Sequence, residues 1–159
     1  MRYDVIVVGA GPAGSTTARE CADRGLSVLL LDKSEFPRDK PCGGSVTIRA
    51  AELLPFEITP VVERVISRVQ FTLSRSRAFW RSFPRTITYL TQRSRFDTLL
   101  VERAVEAGAT LRERETVRDI QRHPNHIVVR SNGHCFEGRT LVAADGANGR
   151  TARLCGLDV

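Results

Sequence analysis

Three glycines and one acid are the residues here whose types and spacing point most directly to chemistry. Gly9, Gly11 and Gly14 lie within Gly9-Ala10-Gly11-Pro12-Ala13-Gly14, and Asp32 follows 18 residues after the last of them. Glycines so spaced suit a dinucleotide. The first permits a tight exit from a strand, the second lets the backbone approach a pyrophosphate, and the third lets helix and strand pack closely. Amides at the start of the helix then face the phosphates, with the positive end of the helix dipole behind them. A carboxylate about 20 residues further on is placed to accept hydrogen bonds from ribose hydroxyls. A glycine-rich turn in an ordinary strand-helix-strand unit accounts for Gly9 or Gly25. It does not account for three glycines at fixed spacing together with a placed acid.

Such a turn works only between the right elements. The apolar run Val5-Ile6-Val7-Val8 predicts the strand before it. Small residues on one face (Ala13, Thr17, Ala18, Cys21, Ala22) predict the helix after it, with Gly25 as its stop. Val28-Leu29-Leu30-Leu31 predicts the second strand, and Asp32 stands at its end.

The 159 residues can hold one domain with a respectable core. Doubly wound enzymes usually need more sheet than this length supplies, so part of a longer protein is expected. Net charge is +6, and all basic residues but Lys33 and Lys40 are arginines. They run from Arg2 to Arg153 with acids among them, which predicts a solvated basic surface and no nucleic-acid partner. Cys21, Cys42, Cys135 and Cys155 show neither a C-x-x-C pair nor zinc spacing, so reduced thiols in the cytoplasm and no metal are expected. No signal peptide is read before the first strand, and the apolar runs are far below the ~20 residues of a membrane span.

After Asp32, two prolines and a glycine pair predict a structured loop through Gly44. A short helix is expected from Ser45 to Leu54, ended by Pro55. From Val61 to Leu90 the pattern turns to β, near Val65–Leu73, Ala78–Phe83 and Thr86–Leu90. These predict two or three strands of an antiparallel layer, an insertion over 61–92. Phe71, Phe79, Trp80, Phe83 and Tyr89 are expected mostly to pack in a core. Ser94 is read as a helix cap, with the stripe Phe96, Leu99, Leu100, Ala104 and Ala107 behind it and Gly108 as the stop. Strands are expected at Thr110–Arg114, Thr116–Arg122, His126–Arg130, His134–Glu137 and Arg139–Ala144. A hairpin turn is expected at Asn132-Gly133, and a helix start between Asn148 and Leu157.

The glycine turn, the loop Phe36-Pro37-Arg38-Asp39-Lys40-Pro41-Cys42-Gly43-Gly44, the helix start Arg93-x-x-Phe96-Asp97 and the strand end Ala143-Ala144-Asp145-Gly146 occur in this order. Together they resemble the N-terminal part of the FAD-dependent oxidoreductases related to geranylgeranyl reductase and the aromatic hydroxylases. The resemblance implies an α/β fold: a Rossmann-like FAD-binding domain with a parallel sheet and an antiparallel β insertion on the substrate side. It implies that Gly9, Gly11, Pro12, Ala13 and Gly14 cradle the FAD pyrophosphate, with Asp32 and the adjacent Lys33 on the adenosine side. Arg93 would lie along the dinucleotide, and Asp145 and Gly146 would form the second cofactor motif. Cys42, Gly43 and Gly44 resemble the cysteine–glycine loop on the flavin side, where the thiol either tunes contacts or simply packs in a turn. Trp80-Arg81-Ser82-Phe83-Pro84 is one residue longer than the reductase signature, and Ala143 and Gly149 depart from the usual glycine and serine.

The implied activity is hydride delivery from reduced flavin to an isoprenoid carbon–carbon double bond, with NADPH or another reductant open as donor. No side chain stands out as a proton donor, so no catalytic residue is named. The implied substrate is a small apolar molecule, and a peripheral membrane contact stays open. A flavin-dependent monooxygenase or halogenase shares the same motifs. A truncated domain without catalysis is a third reading. An NAD-dependent dehydrogenase shares the glycine turn but not the motifs at 36–44 and 93–97.

Overall fold

The computed structural model describes residues 2–73 and 77–157. The chain divides into two compact units, one built from its beginning through Arg38 together with Asp97 onward, the other from Asp39–Phe96.

The first unit is an α/β layer. Strand β1 (Arg2–Val8) leads to helix α1 (Pro12–Ala22) and then strand β2 (Val28–Leu31). The four residues of β2 are all buried, as a strand covered on both faces requires. Helix α1 starts as its sequence dictates: Gly11 is the N-cap in an extended conformation, Pro12 occupies the first turn, and Gly25 at φ +79° lies beyond the end. Its buried face carries the small residues Gly14, Ser15, Ala18 and Ala22, with Arg19 buried beside them.

Helix α3 (Arg93–Glu106) follows the second unit's strands and buries Phe96, Leu99, Leu100, Val101 and Ala104. It begins at Arg93, so Ser94 lies in its first turn and not at the cap; the Phe96 amide already donates to the Gln92 carbonyl at 2.9 Å. The later strands are β8 (Thr110–Arg112), β9 (Val117–His123), β10 (His126–Ser131) and β11 (His134–Ala143), and a short helix α4 spans Thr151–Leu154. The sheet order is β8-β2-β1-β11-β10-β9. Pairing is parallel from β8 through β11 and antiparallel from β11 to β9.

The two strands expected at His134–Glu137 and Arg139–Ala144 are one. Gly138 runs through the middle, paired with Tyr3 on one side and Ile127 on the other, and a Cβ there would stand 2.7 Å from the Ile6 side chain. The glycine is thus a close-packing position inside the strand, where the sequence reading made it a break. The turn before it does match expectation: Asn132 and Gly133 both have positive φ, at 42° and 88°, as a tight hairpin of this hand needs.

The second unit is antiparallel. Strand β3 (Ser45–Thr47) and helix α2 (Ile48–Glu52) come first; a single 3-10 turn and strand β4 (Val62–Ile66) follow, then β5 (Arg68–Leu73), β6 (Arg77–Ser82) and β7 (Thr88–Thr91). Strands β3, β7 and β4 form one sheet and β5 with β6 a two-stranded ribbon. The helix expected over Ser45–Leu54 is therefore corrected at its start. Its first three residues pair with Thr88–Leu90, and Thr47 caps the remainder, accepting the Ala50 amide at 3.2 Å. The expected strand at Val65–Leu73 is two strands broken at Ser67.

The aromatics of the ribbon also correct the sequence reading. Phe71, Phe79 and Trp80 are exposed, with Phe71 stacked on Phe79 at 5.3 Å and the Arg68 guanidinium 4.6 Å above the Trp80 ring. Basic residues are not evenly scattered either: residues 64–96 hold eight arginines and no acid.

Candidate functional site

The ends of β1, β2 and β11 meet at the glycine turn. The Gly9 amide donates to the Leu31 carbonyl at 2.7 Å, and the Ala144 amide donates to the Val8 carbonyl at 2.8 Å. Gly9 turns out of the strand at φ +99°, and a Cβ on it would stand 2.5 Å from the Ala144 carbonyl oxygen. Gly14 is tighter still, since its Cβ would fall 1.7 Å from the Gly9 carbonyl oxygen. These two glycines let strand and helix touch. Gly11 differs: among the described residues its Cβ would meet a single atom within 4 Å, the Arg38 Nη2 at 3.6 Å. No side chain caps the first turn of α1, and no acid lies in it. The turn therefore presents helix amides and dipole to whatever lies before it.

Asp32 is buried and turned into this turn. Its Oδ2 accepts the Ala10 amide at 2.7 Å, and its Oδ1 accepts the Ser34 amide at 2.8 Å. Ala10 is held from the other side too, its carbonyl accepting the Ser15 hydroxyl at 3.0 Å. A carboxylate oxygen has more than one lone pair, so these two bonds leave Asp32 with acceptor capacity. Lys33 beside it is exposed.

Asp145 and Gly146 follow the strand end that Gly9 touches. The Asp145 Oδ2 accepts the Arg150 amide at 2.8 Å, the Thr151 amide at 3.0 Å and the Thr151 hydroxyl at 2.8 Å. This carboxylate thereby holds the start of α4. A Cβ on Gly149 would stand 2.3 Å from Asp145 Oδ1 and Cγ, which gives a physical reason for glycine at that position. Burial pushes the Asp145 carboxyl up, but the bonds from Thr151 and Arg150 outweigh it and leave the group below the usual 3.8. A carboxyl lowered on folding stabilises the fold above its unfolded value, and that stabilisation disappears as pH falls through the folded value. Asp145→Asn is therefore expected to lower Tm at neutral pH, with the gap to the parent narrowing as the pH is taken below 3.8. Thermal scans across that range check it, and a gap of constant size would show that charge is not what Asp145 contributes.

Cys42, Gly43, Gly44 and Arg93 belong to the second unit. Gly44 sits at φ +67°, and its carbonyl accepts the Thr91 amide at 2.9 Å and the Thr91 hydroxyl at 3.2 Å. A Cβ there would fall 1.9 Å from the Thr91 carbonyl oxygen. The glycine loop is thus fastened two residues before Arg93. Cys42 and Gly43 are exposed.

Sequence reasoning did not assign Arg38 and Asp97 to the site. Arg38 Nη2 lies 3.1 Å from Asp97 Oδ2, with the Asp97 side chain fully buried and that of Arg38 13% exposed. Both residues stood inside motifs quoted above, but nothing in their spacing shows that a loop and a helix bring them together.

The model of a family described as FAD binding domain matches residues 2–159. Digeranylgeranylglycerophospholipid reductase 1 of Methanothermobacter thermautotrophicus is 32% identical over 165 residues, covering 98% of this chain and 42% of the relative. Among solved structures, a geranylgeranyl bacteriochlorophyll reductase-like protein from Thermoplasma acidophilum matches with a TM-score of 0.82 at 25% identity, over 99% of this chain and 42% of that one. The myxobacterial chondrochloren halogenase CndH, an FAD-dependent halogenase, matches with a TM-score of 0.78 at 26% identity, over 94% and 38%. The chain spans between 38% and 43% of the length of such curated relatives.

Proposed function

This chain belongs to the FAD binding domain family, and from that premise we propose that it forms the FAD-holding part of a flavoprotein reductase acting on isoprenoid carbon–carbon double bonds. The observation that carries the cofactor assignment is the turn at Gly11. Strand and helix close around Gly9 and Gly14 until no Cβ fits, while the Cβ direction of Gly11 stays open except for a guanidinium. That is a cradle shaped for a diphosphate. Asp32 adds acceptor capacity for the ribose, and Gly9, Pro12, Ala13 and Gly14 shape the turn. Lys33, Cys42, Gly43, Gly44, Arg93, Asp145 and Gly146 are proposed contacts on the strength of their motifs.

When bound, the flavin supplies the hydride chemistry, and the protein contributes position and electrostatics. Reduction of an isoprenoid chain is supported by the names of the reductase relatives. The substrate would be a small, apolar molecule, with NADPH or another reductant as donor. Among the described residues no helix is long and apolar enough to cross a membrane. The reading places the protein in the cytoplasm, which four cysteines outside any disulfide favour, in contact with a membrane surface where an isoprenoid lipid lies. Nucleic acid has no part in it.

The halogenase neighbour favours a second reading, oxygen chemistry at the flavin. Anaerobic saturation of a prenyl chain by the longer protein supports the reductase, and substrate-linked oxygen consumption supports the rival.

For the chain itself, FAD at about a hundred times Kd is expected to add roughly 2.7 kcal/mol of stability. That corresponds to a rise in Tm of roughly 5–10 °C for a domain of this size. A colourless protein whose Tm moves with neither FAD nor ADP would support a non-catalytic domain.

A further inference from the structure

Arg38 presents a guanidinium to the glycine turn, and two contacts hold it there. Its Nη2 pairs with the fully buried Asp97 at 3.1 Å. Its guanidinium carbon lies 5.0 Å from the centre of the Phe36 ring, and Phe36 is itself tied down by its backbone amide, which donates a hydrogen bond to Glu113 Oε1 at 2.7 Å. Among the described residues the same Nη2 is what stands on the open side of Gly11, 3.6 Å from where a Cβ would lie. Its Nε is buried and has no hydrogen-bond partner among the described residues. A buried donor left unpaired is costly, and an arginine fork carries more N–H groups than one aspartate can accept.

We infer that Arg38 is a cofactor-binding residue, donating from its guanidinium to the diphosphate in the glycine turn, and that Asp97 is the positioning residue that aims it. This rests on the reading that the turn holds FAD. A guanidinium suits the task because its planar fork can serve a carboxylate with one edge and a phosphate oxygen with another, which a single ammonium cannot do. Asp97 is the counter-ion of Arg38. Arg38 therefore contributes directed N–H bonds at the turn more than net charge, and the arrangement discriminates for phosphate-bearing ligands against the bare nucleoside.

The rival role for Arg38 is that of a counter-ion for Asp97, and two variants separate the roles. Arg38→Lys keeps a cation beside Asp97 and so preserves the fold. It is expected to weaken both FAD and ADP about tenfold, the scale of one charge-assisted hydrogen bond, and to leave adenosine binding unchanged. Arg38→Met combined with Asp97→Asn removes both charges and should remain at least tenfold weaker for FAD and ADP. Calorimetric titration of the chain with FAD, ADP and adenosine reads all three affinities. Parent-like affinity for FAD and ADP in either variant overturns the inference while leaving FAD binding intact. Equal losses for ADP and adenosine also overturn it, since a merely structural role moves both. A parent chain that binds neither FAD nor ADP overturns the inference together with the reading beneath it.

Discussion

Gly14→Ala is expected to cost on the order of 3 kcal/mol of folding stability, the upper range for an overpacked position. The new Cβ would lie 1.7 Å from the Gly9 carbonyl oxygen and 3.3 Å from the Ala144 Cβ. Neither neighbour is the flexible end of a side chain. Gly9 is fixed by the hydrogen bond its amide donates to the Leu31 carbonyl, and its own Cβ direction is blocked by Ala144. Relief therefore requires α1 to withdraw from β1, which moves the helix amides away from the site they face. Gly11→Ala supplies the contrast. Its Cβ meets only Arg38 Nη2 at 3.6 Å, so folding should stay within about 1 kcal/mol of the parent while FAD binding weakens. Urea unfolding of both variants beside FAD titration checks the pair. Parent-like stability in Gly14→Ala would mean that helix and turn stand further apart than described.

Asp32→Ala should reduce both stability and affinity. Asp32 is 7% exposed and accepts two backbone amides, so its removal leaves the Ala10 and Ser34 N–H groups without that partner. Hydrogen bonds to a charged group are each worth about 1.5–3 kcal/mol, so a loss of roughly 2–4 kcal/mol in unfolding free energy is expected, allowing for water reaching the gap. Adenosine-side binding should fall by a further 1–3 kcal/mol, roughly five- to 150-fold in FAD or ADP affinity. Denaturation and titration read the two effects separately. Unchanged FAD and ADP affinity in a folded variant would confine Asp32 to its structural bonds.

How far the sequence disclosed this molecule depended on the range of the interaction concerned. Strand β2, helix α1 and the Asn132-Gly133 turn follow from patterns a few residues long, and they stand where those patterns put them. The site's Asp32 was legible because its partner Ala10 lies in the same strand-turn-helix-strand unit. Ser45–Thr47 was misread as helix because its pairing with Thr88–Leu90, some forty residues away, overrides local preference. The Arg38–Asp97 pair is hidden for the same reason, since its members lie in separate motifs far apart in the sequence. Phe71, Phe79 and Trp80 were expected inside because aromatics usually are, and alternation cannot say which face of a two-stranded ribbon is covered.

Strand β11 also governs the order in which the chain can assemble. β1 pairs with β2 across a short stretch of chain, Val5 with Val28, so this half can form before the rest of the sheet is available. Its other neighbour is β11, whose paired residues Glu137–Ala143 emerge far later. Until then Val5–Val8 present an unpaired apolar edge, the kind of surface that invites another chain to add on. Closing that gap is a long-range event of the sort that slows folding, and it falls to a single strand that must satisfy β1 and β10 at once.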